Sequence, residues 1–168
     1  MGLGGYEYGV TTEEMAAAYG AFVNDGVYTP PRTFYRVEDS QGNLVCENNK
    51  ESHVAMKQTT AYIIRQTLKS VITSGTGGEA RFSGMTIAGK TGTTSDWCDL
   101  TFVGLCPDFV SGMWIGYEQN YQIQGHGRLK SAGIWKNIIG DYIKEHYDGN
   151  DFFVSDSVIE APMCTASG

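Results

Sequence analysis

The chain has 168 residues, of which 41% are hydrophobic and 12% aromatic: enough apolar material for one cored domain and too much for a disordered segment. Twelve Lys and Arg against nineteen Asp and Glu leave a net charge of −7, which repels phosphate backbones and argues against a nucleic-acid partner. The longest apolar runs fall far short of the roughly 20 residues that cross a bilayer, and no basic lead precedes an apolar stretch, so neither a signal nor a transmembrane segment is expected within this chain.

In chain order, Thr11-Thr12-Glu13-Glu14 has the form of a capping box. Met15, Tyr19, Phe22 and Val23 then recur on one helical face, until Asn24-Asp25-Gly26 supplies a stop. Pro30-Pro31 forces an extended exit, and FYRVED and NLVCEN flank Ser40-Gln41-Gly42 as the arms of a hairpin, so helix and ribbon together occupy 10–50. A second helix is expected over 57–73, with Ala61, Ile64, Leu68, Val71 and Ile72 at helical spacing and the glycine-rich loop Ser74 to Gly78 at its end. The period then changes. MTIAGKTGTT, DLTFVGLC and VSGMWIGYE are short, rich in Thr, Val, Ile and aromatics, and separated by turn signals, which predicts three antiparallel strands over 84–118. Ile134, Trp135, Ile138, Tyr142 and Ile143 resume a helical stripe over 132–147, and a turn-rich tail follows over 148–168. The fold class expected is α+β, a three-stranded antiparallel meander with flanking helices, in one domain.

Cys46, Cys98, Cys106 and Cys164 show no C-x-x-C spacing, so a zinc site is not expected. On one extended strand, Cys98 and Cys106 stand roughly 26 Å apart, well beyond the roughly 7 Å limit of a disulfide. His53, His126 and His146 lack ligand spacing, and Asp148, Asn150 and Asp151 make a better polar turn than a calcium loop. No metal and no cofactor is expected. Trp97, Trp114 and Trp135 read first as packing aromatics, with Trp97 also placed to border a groove.

The chemistry lies in GMTIAGKTGTT. Gly84, Gly89, Lys90 and Thr91 fit the G-x-x-x-x-G-K-[ST] phosphate loop letter for letter, but that loop needs a buried strand before its first glycine and a helix opening at the Lys-Thr pair. Here a polar stretch precedes Gly84, and Gly92 with two threonines follows Thr91, so a nucleotide site is the weaker reading. On a strand, Lys90 and Gly92 face one way and Thr91 and Thr93 the other; lysine charge and threonine hydroxyls suit a carboxylate, and Gly92 lets a peptide backbone lie close. Without further support, Lys90 is better explained as an edge lysine that discourages aggregation.

AGKTGTT, with FVGLCP and MWIGYE behind it, resembles the lysine-threonine-glycine strand and its neighbours in the transpeptidase domain of class A penicillin-binding proteins. GLGGYEYGVTTEEMAAAYGAFVNDGVYTPPRTFYRVEDSQGNLV is similar to the segment between that family's second and third motifs, and EAPMCTASG resembles its C-terminal tail. The resemblance implies a peptidoglycan DD-transpeptidase that cross-links stem peptides by serine acyl transfer, binds D-Ala-D-Ala ends and β-lactams, and works outside the cytoplasm on a membrane anchor. It implies that Lys90, Thr91, Gly92 and Thr93 bind the substrate, that Lys90 adds to the catalytic proton network, and that the Thr93 backbone N–H is one oxyanion donor. A short Gly-Thr-Gly loop before the third motif is also a family feature. The family's S-x-x-K and S-x-N motifs, however, occur nowhere in these residues. The expectation is therefore the C-terminal part of a longer domain, inactive alone, self-associating through the faces it leaves bare; the alternative is a non-catalytic module of the same fold that binds a wall peptide or a partner.

Overall fold

The computed structural model describes residues 9–159 and 161; the segment before Gly9, Cys164 and all of EAPMCTASG except Ala161 lie outside them. Helix α1 (Thr12–Val23) opens on the capping box: Thr11 Oγ1 accepts the Glu14 N–H at 3.1 Å, and Glu14 Oε2 accepts the Thr11 N–H at 2.8 Å. It stops where Asp25 and Gly26 turn to φ of 48° and 89°. Four short strands follow: β1 (Val27–Tyr28), β2 (Arg36–Glu38), β3 (Leu44–Glu47) and β4 (His53–Val54). β2 pairs with β3 as the hairpin predicts, exposed along its length, while β1 pairs with β4 across the base of the ribbon.

Helix α2 (Gln58–Thr73) comes next, then a 3-10 turn at Gly78–Ala80. Its fully buried residues are Ala61, Tyr62, Arg65, Leu68 and Ile72, and Ile64 packs half-buried against the core that Leu68 joins; the arginine is the member of the stripe that apolar spacing does not predict. The Arg65 guanidinium is fully buried because it has work there: it donates to the carbonyls of Phe22 and Phe153, pairs with Asp25 at 3.6 Å, and lies over the Phe152 ring at 5.4 Å. One side chain thus ties the end of α1 and the C-terminal tail to α2.

Strands β5 (Ala88–Thr93), β6 (Asp99–Leu105) and β7 (Val110–Gly116) form an antiparallel sheet in the order β5-β6-β7. Helix α3 (Ser131–His146) covers one face: Trp135 lies over Gly104, where a Cβ would meet its ring at 2.2 Å, packs against Phe102 at 5.1 Å, and donates its indole N–H to Ser111 Oγ. Ile72, Ile87, Phe102, Ala132, Trp135 and Ile143 make that core, and truncating Trp135 to alanine would cost about 3–5 kcal/mol. On the other face α1 and α2 meet the sheet through Leu68, Ala88, Leu105 and Phe152, with Tyr19, Phe22 and Val110 at the margin. The buried stripe of α3 is Ala132, Trp135 and Ile143; Ile138 and Tyr142, expected inside, are 72% and 50% exposed. Ile138 stands about a third of a turn from that stripe, while Tyr142, at its margin, meets the Phe109 ring edge-on at 5.4 Å and is only half covered. Cys98 and Cys106 are buried free thiols at the two ends of β6.

Candidate active site

Among the described residues β5 is an edge strand, paired with β6 alone, and the four residues of interest run extended along it. Register places Lys90, Val103 and Gly112 in one cross-strand row and Gly92, Thr101 and Trp114 in the next. Both rows look toward α1. Between them and the first turns of that helix lies an open cleft of about 520 Å³, bordered by Thr12, Met15, Tyr19, Lys90, Val103 and Trp114. Apart from Ala21, α1 buries no residue fully, so its cleft-facing side is only half covered.

Gly92 has a local reason to be glycine: a Cβ there would come within 2.2 Å of Thr101 Oγ1. The hydroxyl of Thr101 occupies the space over the strand that a side chain would need. Trp114 is not a core aromatic. At 44% exposure it walls the cleft, fixed by an indole N–H donated to Asp99 Oδ1 at 2.8 Å and by contact with Gly116. Trp97 sits at the β5–β6 turn with φ of 57°, and its carbonyl accepts the Ile123 N–H.

Lys90 extends from the exposed edge and its ammonium donates to the carbonyl of Thr91 at 2.7 Å. Thr91 belongs to the opposite row with Phe102 and Met113, and its hydroxyl lies 2.8 Å from that of Thr76 in the loop after α2. Thr93, at the end of the strand, is exposed. The four residues therefore form one polar strand edge: a cation on the cleft side, hydroxyls on the other, and a row without side-chain bulk at Gly92. Such an edge can add an extended peptide and meet its negative end. No helix opens at Thr91, which lies inside β5, and the phosphate-loop alternative falls with it. Thr76, Thr101 and Trp114 are neighbours that spacing did not reveal; the glycine-rich run at Ser74 to Gly78 was the only signal pointing at the first.

The penicillin-binding protein transpeptidase domain model matches residues 1–117. The chain belongs to that family. It is 40% identical over 132 residues to penicillin-binding protein 1A of Clostridium acetobutylicum, covering 78% of this chain and 16% of that protein. It is 34% identical over 138 residues to penicillin-binding protein 4 of Bacillus subtilis, covering 82% of this chain and 22% of that protein. The chain thus spans about a fifth of the length of these penicillin-binding relatives. Among solved structures, it superposes on the D,D-transpeptidase domain of a peptidoglycan glycosyltransferase from Eggerthella lenta with a TM-score of 0.59 at 31% identity, over 79% of this chain and 33% of that one. Penicillin-binding protein 1A of Haemophilus influenzae shares the fold at a TM-score of 0.70 and 19% identity, over 87% of this chain and 28% of that one. The α+β arrangement with a β5-β6-β7 meander is thus that of a penicillin-binding transpeptidase domain. Among the described residues no helix is long and apolar enough to cross a membrane.

Proposed function

We propose that these residues form the substrate-strand portion of a DD-transpeptidase site that cross-links peptidoglycan stem peptides, acting outside the cytoplasm in a membrane-anchored protein. One observation carries the reading: Lys90, Thr91, Gly92 and Thr93 lie extended on a sheet edge beside a cleft, in a chain of the penicillin-binding transpeptidase family. In the reaction, a serine outside these residues attacks the penultimate D-alanine carbonyl, the terminal D-alanine leaves with the serine's proton, and the acyl group passes to an amine of a second stem. A β-lactam mimics the D-Ala-D-Ala end and stays on the serine.

The strand acts on both ends of that event. Lys90 swings its ammonium from the Thr91 carbonyl to set positive potential beside the substrate carboxylate and the serine's proton path, while the hydroxyls of Thr91 and Thr93 donate to the carboxylate. The Thr93 backbone N–H supplies one of two donors to the oxyanion, an interaction whose loss costs about 3 kcal/mol in comparable acyl transfers. Alone, the 168 residues are inert toward penicillin, since no serine has a lysine three positions on.

The test is acylation by a fluorescent penicillin. The full-length protein labels stoichiometrically, Lys90→Gln labels at least roughly a hundredfold more slowly, and the 168-residue chain does not label. Labelling of the short chain, or an unaffected Lys90→Gln, overturns the reading. The missing S-x-x-K also favours a second reading, a non-catalytic module that binds a wall peptide or a partner. The coding sequence upstream of Met1 decides: S-x-x-K and S-x-N in frame support the enzyme, and a native start at Met1 supports the module.

A further inference from the structure

The geometry points to Thr76 as a positioning residue for the carboxylate-binding hydroxyl of Thr91, a role that rests on the transpeptidase reading and deepens it. The two hydroxyls lie 2.8 Å apart across fifteen residues of chain, and either can donate. Thr91 has one hydroxyl proton. When that proton goes to a carboxylate, the oxygen becomes an acceptor, and Thr76 is placed to fill it. The direction of the pair is then fixed, Thr76 to Thr91 to carboxylate, and each bond polarises the next.

Thr76 is held where it can do this. The loop folds back on the end of α2, with the Gly77 N–H donating to Val71 O at 3.0 Å. A Cβ at Gly75 would fall 2.9 Å from Val71 Cα and from Val71 O, and one at Gly77 2.7 Å from Ile72 Cδ1, so the loop lies close against the helix end. Below it Arg81 donates to the carbonyls of Ile72 and Thr73, and the Arg81 carbonyl accepts from Lys136 on α3. The hydroxyl is therefore presented by a loop pinned to α2 and, through Arg81, to α3, as a supporting residue must be.

The experiment measures second-order acylation rates of the full-length protein with benzylpenicillin and with its methyl ester, which lacks the carboxylate charge. Thr76→Val is expected to slow benzylpenicillin roughly three- to tenfold and leave the ester unchanged, while Thr76→Ser, which keeps the hydroxyl, stays within about twofold of the parent. In a Thr91→Val background, Thr76→Val is expected to add nothing. Equal slowing of both compounds, no slowing, or a Thr76→Ser as slow as Thr76→Val would overturn the assignment. A crystal structure of Thr76→Val separates this from the transpeptidase reading. If the parent is not acylated at all, that reading fails and the carboxylate role with it. A Thr91 side chain that leaves its parental rotamer still establishes the pairing, and one that keeps it refutes the pairing too.

Discussion

Substituting Gly92 by alanine separates two reasons for a glycine on β5, packing against Thr101 and the proposed approach of a substrate. The added Cβ would lie 2.2 Å from Thr101 Oγ1, and an ordinary carbon–oxygen contact is about 3.3 Å, so the hydroxyl must withdraw by about 1 Å. Direct pairing of the two residues across β5 and β6 leaves two ways to make that room. Rotating Thr101 about χ1 costs about 0.5–1.5 kcal/mol, and parting the strands costs about 1–3 kcal/mol. The cheaper route sets the cost, so Gly92→Ala should destabilise by roughly 0.5–1.5 kcal/mol, and in a Thr101→Ala background most of that loss should vanish. The assay is urea unfolding of the four proteins of the cycle at one concentration, followed by tryptophan fluorescence. A coupling energy smaller than about 0.5 kcal/mol would refute the packing reason. In the full-length protein, the proposed function has penicillin acylation remain slow in the double variant, because the added methyl still stands where a peptide backbone would lie; recovery together with stability would refute the substrate reason.

Arg65→Met strips the donor from the carbonyls of Phe22 and Phe153 and the cation from Asp25, and should cost about 3 kcal/mol, read as a lowered urea midpoint; a change below about 1 kcal/mol would mean the clamp is idle. Hydrogen bonds from the Thr11 backbone and hydroxyl hold the Glu14 carboxyl below the usual range, and those from Asn43 do the same for Asp39. Depressed carboxyl values stabilise the fold above the ordinary titration range near about pH 4.3, and that contribution is lost as pH falls through the lowered values. Thr11→Val, which removes the hydroxyl bond and keeps the larger backbone one, should flatten this acid limb in part, and a limb identical to the parent's would contradict the hydroxyl's share in the cap. With Val10 and Trp114 48% and 44% exposed beside the cleft, and β7 bonded among the described residues to β6 alone, the isolated chain should self-associate in light scattering behind size exclusion; a clean monomer over a wide concentration range would count against it.

Local signals carried the reading of sequence into structure wherever a single segment held the whole cause. The capping box of α1, the hairpin turn at Ser40-Gln41-Gly42 and the β-branched runs of the meander each depend on a few neighbouring residues, and each element stands near its expected place. β1 and β4 were invisible because two-residue strands show no alternation, and their partner lies some twenty-five residues away. Arg65 stands among the apolar residues of α2 because carbonyls at the end of α1 and in the tail accept its N–H groups, which no helical spacing encodes. At the candidate site, alternation sorted Lys90 and Gly92 from Thr91 and Thr93, as the register has them. Thr76, Thr101 and Trp114 were not legible, since their relation to the strand is set by a loop and two neighbouring strands. Trp114 resembled a core aromatic for the same reason; its exposure follows from a cleft that only the placement of α1 creates.

The most direct measurement is a crystal structure of the full-length protein acylated by benzylpenicillin. The predicted result places the drug's carboxylate within hydrogen-bond reach of the Thr91 and Thr93 hydroxyls, with the Lys90 ammonium turned toward it and the acyl oxygen at the Thr93 N–H. A carboxylate held elsewhere, with Lys90 still bonded to the Thr91 carbonyl, would contradict the claim that this strand edge grips the substrate.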